Sequence, residues 1–108
     1  MRRRHGNRQT IGYKEREKFK ELGPEKYVSQ LLSNEDLYGR ISMEDKNLLG
    51  SLTAKLPGIE AKLLEIEEGT KAHEELNDRC DAIKYHLCIV GTRYRIDKFK
   101  SDVERQDN

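Results

Sequence analysis

The sequence has little with which to build a thick hydrophobic core. It contains no tryptophan and only two phenylalanines, and apolar residues make up 34% of its 108 positions. That share is below the roughly 45–50% of ordinary globular domains, a figure that also counts glycine. Charged residues reach 38%, against about 25% in an average domain. Because such a chain cannot fill a compact sphere, these proportions favour one elongated domain held together by narrow helical seams.

Long apolar stretches are also missing. No segment approaches the roughly 20 apolar residues that span a bilayer, and no apolar region follows the basic N-terminus as it would in a secretory signal. Cys80 and Cys88 are eight positions apart, a rise of roughly 12 Å on a continuous helix. A disulfide needs Cα atoms within about 7 Å, so two free thiols are expected. We therefore expect a cytoplasmic protein that has no membrane partner.

The patterns of catalytic and metal sites do not occur either. There is no Cys-x-x-Cys or His-x-x-x-His pair, and His73, Cys80, His86 and Cys88 would project from several helix faces, so four converging zinc ligands are not expected. His86 and Cys88 are too close in sequence to face each other on a helix as a base and a nucleophile. A glycine-rich phosphate loop is absent. The sequence predicts a protein that is not an enzyme, with no cofactor and no small-molecule substrate.

What the chain does contain is two runs of apolar residues spaced by three and four positions. This spacing is typical of a helix that presents one narrow seam to another helix. The phase breaks near Gly69 and Thr70, a good helix stop followed by a good cap. We therefore predict an all-α protein built on a long antiparallel, coiled-coil-like helical hairpin over residues 42–100. The predicted seam and interface consists of Leu49, Leu52, Leu56, Ile59, Leu63 and Ile66, and of Leu76, Cys80, Ile83, Leu87, Val90 and Tyr94.

The segments outside the hairpin are predicted to be short helices and flexible ends. Residues 1–10 form a flexible basic arm, residues 11–41 form two or three short helices with a turn at Gly23 and Pro24, and residues 101–108 fray. Two alternatives stay open within the hairpin. Pro57 either kinks one helix or separates two, although the unbroken seam favours a kink. Residues 87–96, which are rich in β-branched side chains, could form a short strand.

The net charge of +1 hides a polarised layout. Residues 1–20 carry eight basic and two acidic side chains, whereas residues 34–82 carry six basic and twelve acidic ones. On the predicted hairpin the turn is acidic and the opposite end is basic, which is a physical basis for oriented binding to a charged partner. The cations that we expect to contact nucleic acid or an acidic protein surface are Arg2, Arg3, Arg4, Arg8, Lys14, Arg16, Lys18, Lys20, Arg93, Arg95 and Lys98.

Together these features predict a macromolecular binding protein without catalysis. A two-helix hairpin buries little surface alone, so its seam favours self-association or a stable protein partner. Arginine forks match phosphate oxygens, and the first helices have the lengths of a helix-turn-helix, so the basic end is a candidate contact for nucleic acid. The alternative is a small protein-directed inhibitor or adaptor, of the kind that phages and mobile elements encode, with no nucleic-acid role.

Overall fold

The computed structural model describes residues 8–106 and, within them, the side chains from residue 10 to residue 105. Five helices make up this part of the chain: α1 (Arg8–Leu22), α2 (Pro24–Ser33), α3 (Glu35–Tyr38), α4 (Met43–Glu65) and α5 (Lys71–Gln106). The molecule measures 58 × 34 × 19 Å with a radius of gyration of 16.6 Å, against about 13 Å for a compact domain of this length. The predicted elongated all-α fold is confirmed. None of the described helices has both the length and the apolar character needed to cross a membrane.

Helices α4 and α5 form the predicted antiparallel hairpin. Two ion pairs show their direction, because Asp45 near the start of α4 lies 3.7 Å from Arg93, and Glu60 near its end lies 3.5 Å from Lys84. The turn is the predicted one. Gly69 has a φ of 85°, in the left-handed region that glycine occupies without strain, and the Thr70 hydroxyl accepts a hydrogen bond from the third amide beyond it at 3.2 Å.

At both places in the hairpin where the sequence leaves two alternatives open, the structure has a continuous helix. Helix α4 runs through Pro57 without a break, so the seam belongs to one helix. Helix α5 includes all of residues 87–96, and these residues form no strand. Leu87 and Val90 are almost fully buried, and this packing outweighs the weak helix propensity of the β-branched residues around them.

Two helices extend beyond the boundaries that the sequence predicts. Helix α1 begins at Arg8, so the last residues of the predicted flexible arm are helical, while residues 1–7 lie outside the described residues. Helix α5 continues to Gln106, beyond residue 101 where we expect fraying to start. Asp102 helps to hold this last part, because its carboxylate accepts a hydrogen bond from the Lys98 ammonium at 2.6 Å and another from Arg105.

The core lies at the end of the hairpin that is covered by α1, α2 and α3. Its most deeply buried side chains are Tyr27, Leu31, Leu37, Leu49, Leu87 and Val90. The other end of the hairpin is different, because no side chain from residue 57 to residue 79 is buried. We call residues 57–79 the distal half of the hairpin. There no helix of the described residues packs on α4 and α5 as a third layer.

Candidate functional site

An open groove follows one face of the hairpin, where no third helix of the described chain covers the seam. A cavity of about 770 Å³ adjoins a second of about 500 Å³, and Lys62, Leu76 and Arg79 line both of them. We call this continuous feature the hairpin groove. Its lining residues are Leu52, Lys55, Gly58, Ile59, Lys62 and Ile66 from α4 and its C-cap, and Ala72, Glu75, Leu76, Arg79, Ala82, Ile83 and His86 from α5.

The floor of the hairpin groove is made by residues of the predicted seam. Five seam residues are buried: Leu49, Leu56, Cys80, Leu87 and Val90. The other seven are only half-buried: Leu52, Ile59, Leu63, Ile66, Leu76, Ile83 and Tyr94. In a pair of helices, each seam residue is covered only by the facing helix, and a third element is needed to bury the rest of its side chain. Leu52, Ile59, Leu63, Ile83 and Tyr94 pack against the buried core, and the seam forms a closed core only near the short helices.

The groove extends along the hairpin over about four helical turns. Leu52, Ile59 and Ile66 follow one another at intervals of seven residues, which places the first and last roughly 21 Å apart along the helix. Gly58 also lines the groove, and no heavy atom lies within 4 Å of the point where its Cβ would stand. The backbone is thus accessible there, and a partner helix of about four turns fits this length.

The rim of the groove is positively charged. Lys55, Lys62 and Arg79 are exposed, and within the described part of the chain none of them forms an ion pair. Among the lining residues, Glu75 is the only carboxylate. Charge counting along the sequence missed this surface because it assigned the three cations to a segment with an excess of acidic residues. The sequence could have indicated this surface, because each of the three cations lies three or four positions from apolar residues of the seam.

The structure does not bring the predicted cationic residues together as one free surface. Arg2, Arg3 and Arg4 lie outside the described residues, as does the side chain of Arg8. Four of the others form ion pairs within the molecule: Lys18 and Arg95 with Glu15, Arg93 with Asp45, and Lys98 with Asp102. Only Lys14, Arg16 and Lys20 are exposed on α1 and without an ion pair in the described chain.

Arg95 belongs to a buried ionic cluster that the sequence did not reveal. The Glu15 carboxylate is 4% exposed, accepts a hydrogen bond from the Tyr27 hydroxyl at 2.8 Å, and lies 3.6 Å from Nε of Arg95. Burial raises the pKa of Tyr27 above its ordinary value, and the negative charge of Glu15 raises it further. The cluster joins α1 to α2 and α5, and it withdraws Arg95 from the surface where we expect it to bind a partner.

The two thiols, Cys80 and Cys88, are free and buried. Burial raises the pKa of both Cys80 and Cys88, which keeps them in the protonated form that is a poor nucleophile. Within residues 8–106, no three histidine, cysteine, aspartate or glutamate side chains converge in a way that could hold a metal ion.

Comparison with known proteins gives no match: no family model, no curated protein and no solved structure matches this chain. The physical character of the hairpin groove is therefore the basis for a functional proposal.

Proposed function

We propose that this protein is a non-enzymatic binding module whose hairpin groove takes up an acidic amphipathic helix of another protein. One observation carries the proposal: along the same face of the hairpin, a partly exposed apolar seam runs beside three cations that have no ion-pair partner in the described chain. An adaptor and an inhibitor would both use this groove, and they would differ only in what the captured protein does.

The apolar floor supports a helix as the occupant. A partner helix with apolar residues every three and four positions would complete a three-helix bundle, the usual way in which a groove between helices binds a peptide. Fully burying one leucine or isoleucine contributes about 1.5–3 kcal/mol. Leu52, Ile59, Leu76 and Ile83 are already partly buried, so a partner would cover at most about a third of each and contribute at most about 2–4 kcal/mol before the entropic cost of association.

The charge of the rim supports an acidic partner. Lys55 and Lys62 border the groove on α4, and Arg79 borders it on α5, so carboxylates on both flanks of a bound helix would meet a cation. Complementary charge of this kind speeds association and discriminates against wrong partners. Because the rim is exposed, the affinity should fall as salt concentration rises.

The same charge argues against a second copy of this chain as the occupant. A two-fold dimer places the same patch of both subunits in contact, so two grooves that each have three rim cations and one carboxylate would face each other. Like charges facing each other across an interface are costly. The charge pattern therefore favours a partner of different sequence over self-association.

Nucleic acid is less well supported as the partner by the described residues. Lys18, Arg93, Arg95 and Lys98 are engaged in ion pairs with carboxylates of the chain itself. A phosphate backbone would have to compete with these carboxylates, or rely on the three exposed cations of α1 and on the basic residues before Arg8. Duplex DNA and RNA are therefore included as arms of the test.

The proposal is tested with a labelled 21-residue helical peptide that carries leucine at heptad a and d positions and glutamate on both flanks. Fluorescence anisotropy should show saturable binding, and a peptide with lysine flanks should bind at least tenfold more weakly. In the protein, Lys62→Glu combined with Arg79→Glu should weaken binding at least tenfold. Lys26→Glu with Arg40→Glu makes the same charge change at exposed positions outside the groove and should leave binding unchanged.

Several outcomes would overturn the proposal. Equal binding of the two peptides, or equal loss of affinity in both double variants, would show that the charge of the groove does not select the partner. Dimerisation of the wild type in light scattering, abolished by Lys62→Glu with Arg79→Glu, would assign the groove to a second copy. Tighter binding of duplex DNA or RNA than of the acidic peptide would assign the protein to nucleic acid.

A further inference from the structure

A second pocket lies between α1 and α5, and it shares no lining residue with the hairpin groove. Its volume is about 350 Å³, near the lower end of the roughly 300–1,000 Å³ that small-molecule sites occupy. The pocket is therefore too small for a helix and of a suitable size for a small ligand.

The interior of this pocket is apolar. Phe19 and Cys88 line it and are 9% and 8% exposed, and Phe19 is held in place by an edge-to-face contact with Tyr27 at 5.0 Å between ring centroids. Tyr85 and Ile89 line the same pocket from α5 and keep 67% and 43% of their surface exposed. Two large apolar side chains are thus left in contact with water beside a buried floor, and a ligand with an apolar body would cover them.

The helices that form the pocket are in contact at one end. At Gly12 a Cβ would lie 3.9 Å from Cγ2 of Thr92, which is ordinary van der Waals contact. Both residues line the pocket, so α1 and α5 close it there. Lys20 and Lys84 are contributed by the stretches of α1 and α5 that lie farthest from this contact. The two helices are therefore in contact at one end of the pocket, and Lys20 and Lys84 lie at the other.

The polar edge of the pocket carries one sign of charge. Arg16 and Lys20 lie one turn apart on α1, Lys84 comes from α5, and no carboxylate is among the nine residues that line the pocket. Arg16 and Lys20 form no ion pair in the described chain, whereas Lys84 lies 3.5 Å from Glu60. Two cations are thus available to an anionic group without displacing a carboxylate.

From this combination we infer that the pocket between α1 and α5 binds a small amphiphilic carboxylate, with its acyl chain against Phe19, Cys88 and Ile89 and its anionic group between Arg16 and Lys20. Charge complementarity selects the anion, because an acidic ligand would find cations and no competing carboxylate at the edge. The apolar floor selects the tail, because an inorganic anion would leave Tyr85 and Ile89 exposed. This inference is independent of the function proposed for the hairpin groove.

The experiment is an isothermal titration of the full chain with decanoate, decanol and decyltrimethylammonium at low salt. Decanoate should bind with one site per chain and at least tenfold more tightly than either control ligand. Arg16→Gln combined with Lys20→Gln should weaken decanoate binding at least tenfold, because both side chains are exposed and their loss removes charge without opening the core. Lys62→Gln with Arg79→Gln removes the same charge from the hairpin groove and should leave decanoate binding unchanged.

The contrary results are equally specific. Absence of heat of binding up to millimolar decanoate would overturn the inference, as would equal binding of decanol. Loss of decanoate binding only in Lys62→Gln with Arg79→Gln would place the ligand in the hairpin groove. The peptide titration would remain an independent test of the proposed function.

Discussion

Gly91 offers the sharpest test of how the core is packed. The buried ring of Tyr27 lies directly against the backbone of α5 at this glycine. A Cβ at position 91 would stand 2.8 Å from Cζ and 2.9 Å from Cε2 of Tyr27, and closer still to its hydroxyl oxygen. Because Tyr27 is only 2% exposed, its ring has no free space into which it can move. We therefore expect Gly91→Ala to be destabilising, although alanine is the better helix former.

The magnitude follows from three contributions. Helix propensity favours alanine by about 1 kcal/mol, whereas overpacking of a filled core costs about 1–3 kcal/mol. Displacing the Tyr27 hydroxyl would also take its hydrogen bond away from the buried Glu15 carboxylate, at a cost of about 1–3 kcal/mol. The net expectation is a loss of about 1–5 kcal/mol in the free energy of unfolding.

The measurement is urea denaturation followed by circular dichroism at 222 nm, with Gly50→Ala as the matched control. Gly50 is also inside a helix and is exposed, and a Cβ at this position would have no heavy atom within 4 Å. Its replacement should raise stability by about 0.5–1 kcal/mol. If Gly91→Ala were as stable as the wild type while Gly50→Ala gained stability, the close packing of Tyr27 on α5 would be refuted.

Three further predictions concern buried groups. Glu15→Ala should lower the free energy of unfolding by about 3 kcal/mol. This is the lower end of the range for removing one partner of a buried ion pair, because Arg95 keeps 24% of its side-chain surface exposed. A melting temperature equal to that of the wild type would contradict this prediction. The pKa of Tyr27 is raised from 10.0, first by burial and then by Glu15, so folding favours its protonated form, and the stability this provides is present below pH 10 and lost at higher pH. Absorbance titration at 295 nm should therefore leave one tyrosine un-ionised until the protein unfolds, and Tyr27→Phe should abolish that delayed fraction. Cys80 and Cys88 should react with Ellman's reagent slowly in buffer and stoichiometrically in urea, whereas rapid reaction of both thiols in buffer would show that they are not buried.

The hairpin could be predicted from the sequence because its determinants are local. Apolar residues at steps of three and four define one face of each helix, and Gly69 and Thr70 mark the turn by properties of single residues. Ten of the twelve seam residues belong to the buried core or pack against it. The same reasoning could not find the groove, because the apolar pattern is equally regular in both halves of the hairpin. Which half is covered depends on where α1, α2 and α3 pack.

The charged residues were harder to predict for a similar reason. Charge counting treats every cation as free, whereas Arg95 lies beside Glu15, a residue 80 positions earlier in the chain. Nothing in the local sequence of either residue signals this pairing, since it exists only after α1 has packed along α5. Gly91 shows the same limit, because glycine is a poor helix former and only the position of the Tyr27 ring shows that a larger residue would not fit there.

Pro57 has a consequence for how the molecule opens. It directly follows Leu56, the last buried side chain of α4, and because proline has no amide hydrogen, the carbonyl of Thr53 receives no helical hydrogen bond. The backbone ladder is thus interrupted at the place where tertiary support also ends. Regions with little tertiary support open at low free energy while the rest of a protein stays folded. Amide hydrogen exchange should then divide α4 into a slowly exchanging segment before Pro57 and a rapidly exchanging segment after it.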